Sequence, residues 1–236
     1  MQLAHEALGL IDIVVNQRAR RYVFRATDDG RIKMTVPART AEKDWRKAVD
    51  GMYPRLLTLI EKKKERKQID ATFRIDQPDF RMALREGMVP RVQARMSEGT
   101  LDVLYPKGTD FGKEELQVWL EKVAGEAVRH QAKRVLPGRL MALAQQLGLT
   151  VKSVTVRNSH GRWGSCSSKR TINLSMYLIL LPTHLQRYVM LHELTHLLHM
   201  DHSPAFWAQL DAFCGGSSKA LRQEMKCYNT SLFFRR

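Results

Sequence analysis

The feature that most constrains this chain is His192-Glu193-Leu194-Thr195-His196, set in an apolar stretch that starts after Pro182. On a helix, residues four apart rise about 6 Å and share a face. His192 and His196 therefore project together, close enough for both imidazoles to bind one zinc ion. Glu193 stands beside the first of them, where it can accept a proton from water. The local sequence predicts the helix independently. Thr183 reads as N-cap with Gln186 completing a capping box, and Leu185, Val189 and Leu197 supply apolar surface. Asp201-His202 then reads as a tight turn, with Ser203-Pro204 opening a second helix. Five of the eight histidines lie between Thr183 and Trp207.

Two imidazoles do not complete a catalytic zinc site, which takes three protein ligands and leaves one position open. His199 is seven residues from His192, roughly 10.5 Å along a straight helix, too far to converge with the others. His202 lies past the helix end, where a turning chain brings it back, and is the expected third ligand. Asp211 and Glu224 are the alternatives. His184 and His199 default to structural roles. The expected cofactor is one Zn2+ per chain.

A series of further motifs surrounds this core: Arg162-Trp163-Gly164-Ser165-Cys166-Ser167, Ile172-Asn173-Leu174, Leu180-Leu181-Pro182, and His202-Ser203-Pro204 followed by Phe206-Trp207. Together with the histidine helix they resemble the YgjP-like metallohydrolase family, related to SprT-like and other zincin metallopeptidases. The specific motifs cover about residues 151–210. The family commonly has Asn before the third histidine; Asp201 stands there in this chain, and a short polar residue suits the turn either way. The resemblance implies a zinc-dependent hydrolase acting as a peptidase, with nucleotide pyrophosphatase as an alternative activity. It also implies an α+β zincin-like fold, in which a small antiparallel sheet precedes the active-site helix.

Composition sets the outer bounds. A chain of 236 residues with 44% hydrophobic and 27% charged residues is of ordinary globular make-up. The N-terminus lacks the order of a signal peptide, and no apolar run approaches the roughly 20 residues of a membrane span. Three cysteines without paired spacing imply no disulfide framework, so a cytoplasmic location is expected. Lys and Arg total 39 against 24 acidic residues, a net charge of +15. That excess makes nucleic acid a possible partner beside the expected peptide or protein substrate, and a nucleic-acid module with structural zinc is the third functional class. The charged run 61–67 reads as a solvated helix face. Oligomeric state is not legible.

Along the chain, residues 10–15, 22–26 and 31–36 read as strands, with Asp28-Asp29-Gly30 as a hairpin turn. A helix follows from Thr40 to about Lys67, with a kink or break near Gly51 and Pro54. Strand-like spacing returns between Ile69 and Pro106. A helical stretch from Gly112 to Leu147 is expected to divide at Pro137-Gly138 and to stop at Gly148. Three short strands, 151–157, 162–166 and 171–175, lead into the histidine helix. These readings place an antiparallel β-rich region with one helix at 1–108 and a zincin-like catalytic domain at 109–236. Arg162, Trp163 and His160, on or beside the second of those strands, are candidate substrate-binding residues. Arg162 is suited to an anionic group, Trp163 to walling the cleft, and His160 to donating a hydrogen bond. Each also has a structural reading, and Cys166 is a remote candidate for the metal.

Overall fold

The protein is represented by a computed structural model that describes residues 1–27, 30–64 and 68–228, without the side chains of 61–64. The hairpin residues Asp28 and Asp29, residues 65–67 and all side chains of the charged run 61–67 thus lie outside what the structure describes. The chain forms two compact units, Met1–Lys67 and Gln68–Arg235. No helix among the described residues is long and apolar enough to cross a membrane.

In the first unit β1 (Gln2–His5), β2 (Gly9–Asn16), β3 (Val23–Ala26) and β4 (Ile32–Pro37) are followed by α1 (Glu42–Lys64). The strands are ordered β1-β2-β4-β3. The alternation of Ile32, Met34 and Val36 sends all three to one face, where each is fully buried. Ile11 and Ile13 from β2 and Trp45, Val49 and Leu56 from α1 complete that core. The helix runs through Pro54 without a break.

The second unit opens on the same plan. β5 (Arg74–Gln77), β6 (Phe80–Glu86), β7 (Gln93–Ser97) and β8 (Thr100–Tyr105) are ordered β5-β6-β8-β7, and α2 (Glu114–Gln146) follows. In both sheets the two middle strands run parallel and the outer pairs antiparallel. In both, the last strand ends in a Pro-x-x-Thr turn: Thr40 Oγ1 donates to the Pro37 carbonyl at 2.8 Å, and Thr109 Oγ1 to that of Pro106 at 2.6 Å. One four-strand-and-helix arrangement is therefore used twice, a repetition the sequence alone did not display.

α2 organises what comes next. It is one helix of 33 residues, passing through Pro137 rather than dividing there. It ends in a Schellman arrangement: Gly148, at φ +66°, donates to the Gln145 carbonyl and Leu149 to that of Ala144, which is the left-handed stop for which glycine is suited. α2 contacts β6, the next strand β9 (Ser153–Arg157), the 3₁₀ turn Met176–Leu180 and the histidine helix α3 (Thr183–Thr195). Its Leu120, Leu136 and Leu140 are fully buried, each contributing roughly 1.5–3 kcal/mol of burial. They share one core with Phe80, Met82, Leu101 and Val103 of the second sheet and Leu185, Leu191 and Leu194 of α3. The division between compact units consequently falls at 67/68, not at the expected 108/109, because the β5–β8 sheet packs with the site-bearing half.

The remaining strands, β10 (Gly164–Cys166) and β11 (Thr171–Ser175), form a three-stranded sheet with β9, ordered β10-β11-β9. β10 pairs with β11 antiparallel, but β11 pairs with β9 parallel. The fold class is thus α+β as expected, with all three sheets mixed where antiparallel ones were expected. Strand direction follows from where the chain re-enters each sheet, which alternation does not encode. α4 (Pro204–Phe213) and α5 (Ser218–Met225) close the unit.

Candidate metal centre

α3 is held by a buried polar network rather than by the expected capping box. Its N-cap is Pro182, and no side chain caps it. Gln186, fully buried, instead donates through Nε2 to the Leu181 carbonyl at 2.9 Å and to Asp79 Oδ2 at 2.8 Å. Its Oε1 accepts from Arg139 Nη1 at 2.7 Å. Arg139 binds Asp79 bidentately, both contacts 2.8 Å. A buried amide must find partners, and here they come from the β5–β6 turn and α2. The hydrogen bond from Arg139 holds the Asp79 carboxyl below its ordinary range, against the opposing effect of burial.

Past the C-cap His196, the chain turns and returns. Asp201 Oδ1 accepts from the Ser203 backbone N–H at 3.3 Å, Ser203 is the N-cap of α4 and Pro204 its first residue. This turn carries His202 back to α3. The ligand atoms of His192, His196 and His202 lie within 4.8 Å of one another, a group able to hold one metal ion. His202 Nε2 is 3.2 Å from His192 Nε2. His196 Nδ1 donates to the His199 carbonyl at 3.0 Å, which fixes the tautomer and leaves Nε2 with a free lone pair, the usual support for a ligating imidazole. Phe206, fully buried, packs against all three rings at centroid distances of 4.6–4.9 Å. Burial, followed by the charges of His196, His202 and Arg222, pushes the His192 pKa down to about 4. Its ring is then neutral near pH 7, the form that binds metals.

Glu193 is 5% exposed. Burial pushes its carboxyl up to about 8, opposed by the positive charge of Arg162. Its Oε2 is buried with no hydrogen-bond partner among the described residues, which is costly unless a ligand or solvent satisfies it. Gly164 on β10 lies against this carboxyl.

His192, Glu193 and His202 border a cleft of about 630 Å³, together with Trp207. Arg162 and Trp163 both border it. His160 does not border it: its Nε2 is 3.0 Å from Tyr177 Oη, which donates to Asn158 Oδ1 at 3.1 Å. Asp211 accepts from the backbone and hydroxyl of Ser218, and Glu224 pairs with His184 at 2.8 Å, so neither alternative third ligand joins the histidine group. Cys166 is also outside it, its thiol pushed up to about 11, chiefly by burial. All three cysteines are free.

Sequence reasoning missed Tyr188 and Arg222 as cleft residues. Tyr188 reads as an apolar helix position. Arg222 comes from α5, and its guanidinium carbon lies 4.3 Å from the Trp207 ring centroid, a cation–π contact with no local signature.

The family model described as the YgjP-like metallopeptidase domain matches residues 20–228. No curated protein matches the chain significantly. A similar solved structure is the metallopeptidase zymogen of Pyrococcus abyssi abylysin, 23% identical, with a TM-score of 0.35 over 39% of this chain and 94% of that one. The family match, spanning both compact units and all three clustered histidines, supports a metal-dependent hydrolase, and the chain belongs to the YgjP-like metallopeptidase-domain family.

Proposed function

We propose that the protein is a zinc-dependent peptidase in which His192, His196 and His202 hold the ion and Glu193 is the general base. The observation that carries this reading is the convergence of three imidazoles beside a buried carboxylate with an unsatisfied oxygen. Two nitrogens each roughly 2.0–2.1 Å from a shared tetrahedral zinc lie about 3.3 Å apart, and the His192–His202 separation is 3.2 Å. An all-imidazole set with room for a further ligand also suits zinc in its catalytic form.

When bound there, zinc supplies Lewis acidity, polarising a scissile carbonyl and acidifying water. The chain's own groups do the rest. With the site filled, Glu193 would be held ionised and would take a proton from the attacking water and return it to the leaving amine. Burial of Glu193 by Gly164 and the helix core keeps competing solvent from its oxygens and strengthens each interaction they make. Arg162 and Trp163 line the cleft with Glu193; Arg162 is assigned to an anionic substrate group and Trp163 to the cleft wall. β10 is an edge strand beside Glu193, open to backbone pairing with an extended peptide.

The test is hydrolysis of an unstructured protein and of fluorogenic peptides by zinc-loaded protein, with nucleoside triphosphates assayed alongside. Peptide cleavage absent from Glu193→Gln supports the proposal. Cleavage of the triphosphates alone refutes it.

A further inference from the structure

The cleft does not end at Glu193. It shares Arg162 and Gly164 with a second cavity of about 360 Å³, also bordered by Arg157, Ser165 and Asn173. Arg157 in turn borders a third cavity of about 630 Å³, together with Arg129 and Lys133 of α2 and the β9 backbone from Val154. Arg129 and Lys133 are four residues apart and so share one helix face. Five cations, Arg222, Arg162, Arg157, Lys133 and Arg129, thus border three concavities that share lining residues in series, and the sole carboxylate lining them is Glu193.

None of the five forms an ion pair with a carboxylate among the described residues. Arg157 makes only a long hydrogen bond, 3.4 Å, to Asn173 Oδ1. Single exposed cations are ordinary solvated side chains. Five around neighbouring hollows against the single carboxylate of Glu193 are different, because concave walls focus the field they create and favour anionic occupants.

The lining also separates the kinds of anion. Sites for single-stranded nucleic acid combine cations with aromatic faces on which bases stack. Here the aromatic side chains Trp163, Tyr188 and Trp207 are confined to the catalytic cleft, and the two outer cavities have none. They present hydroxyls and amides instead: Ser159, Ser165, Asn173, Thr155 and Asn158. Both β9 and β10 are edge strands of their sheet, a setting suited to an extended polypeptide.

We infer that the two outer cavities form a subsite for an acidic polypeptide segment. The enzyme then selects substrates carrying several aspartates or glutamates to one side of the scissile bond, with Arg162 and Arg157 nearest the reacting centre and Lys133 and Arg129 beyond. This assignment of substrate class rests on the peptidase reading; the anionic subsite itself does not.

Binding and turnover are therefore measured separately. Zinc-loaded Glu193→Gln protein, full length, is titrated into two fluorescein-labelled peptides of equal length, one alternating Glu and Ala, the other Gln and Ala. The Glu peptide binds about tenfold more tightly at low salt, equivalent to about 1.4 kcal/mol, and the gap shrinks as salt screens it. Adding Arg157→Gln, or Arg129→Gln with Lys133→Gln, narrows the gap; these exposed positions carry no core packing, and thermal melts confirm folding. Equal binding of the two peptides, or a gap unchanged in both variants, overturns the inference. So does tighter binding of an oligothymidylate of equal charge that the same variants abolish, which assigns the cavities to nucleic acid. Cleavage of both peptides by the unsubstituted enzyme is followed in parallel. A Glu preference in binding with neither peptide cleaved rejects the peptidase reading and leaves the anionic subsite standing.

Discussion

Gly164 lies directly against Glu193: a β-carbon at position 164 would stand 2.6 Å from both Cγ and Oε1 of the glutamate. Ordinary carbon contacts are no closer than about 3.5 Å, so something must move. The clashing atoms belong to the Glu193 side chain, so the carboxyl is pushed from its present position beside the histidines. Gly164→Ala is expected to lower stability by about 1–3 kcal/mol, the usual cost of overpacking, and to reduce kcat more than metal content. Denaturant unfolding, metal analysis and peptide kinetics on the one variant check all three.

Removing the carboxylate's charge while keeping its shape separates chemistry from binding. Glu193→Gln is expected to retain the metal and to lose turnover by about 10²–10⁴-fold, the range of a general base. Full activity in that variant would remove Glu193 from the mechanism.

The Asp79–Arg139–Gln186 network gives the fold an acid-sensitive component. Arg139 holds the folded-state pKa of Asp79 below its ordinary value. That contribution is complete above the unfolded-state pKa, about 3.9, and is lost as pH falls through the lower folded-state value. Asp79→Asn is expected to cost about 1–3 kcal/mol at neutral pH, since it leaves Arg139 and Gln186 with weakened partners. The gap between wild type and variant narrows below about pH 4. Urea unfolding across that range measures it.

Much of the histidine helix was legible because its information is local. The i, i+4 spacing of His192 and His196, the Ser203-Pro204 start of α4 and the short turn that returns His202 are each written within a few residues. Gln186 was misread for the opposite reason. Its position three residues after Thr183 matches a capping box, but its partner Asp79 is 107 residues away in sequence, and burial of the amide decided its use. The parallel pairings of β2 with β4, β6 with β8 and β9 with β11 were equally hidden, since period-two alternation is the same in either direction. Pro54 and Pro137 were expected to interrupt their helices. For Pro137 the interior setting is visible: Leu136 and Leu140 on either side of it are fully buried, and such packing outweighs a local penalty of about 3 kcal/mol. The cleft residue Arg222 and the basic path through Arg157 depend on elements brought together only by the tertiary fold.

The position of the division between units has its own consequence. A chain beginning at Gln68 keeps the β5–β8 sheet against α2 and is expected to unfold cooperatively and retain the histidine group. A chain beginning at Thr109 exposes the Leu120 and Val128 face of α2 and is expected to aggregate or remain unfolded. Circular dichroism melts of the two distinguish 67/68 from 108/109 as the working boundary.

The central claim, that three histidines hold one zinc, is tested most directly by elemental analysis of the purified protein beside His196→Ala. The account predicts about one zinc per chain in the wild type, as for a single three-histidine site, and its loss in the variant while the fold persists. No metal after zinc reconstitution, or an undiminished content in His196→Ala, would contradict it.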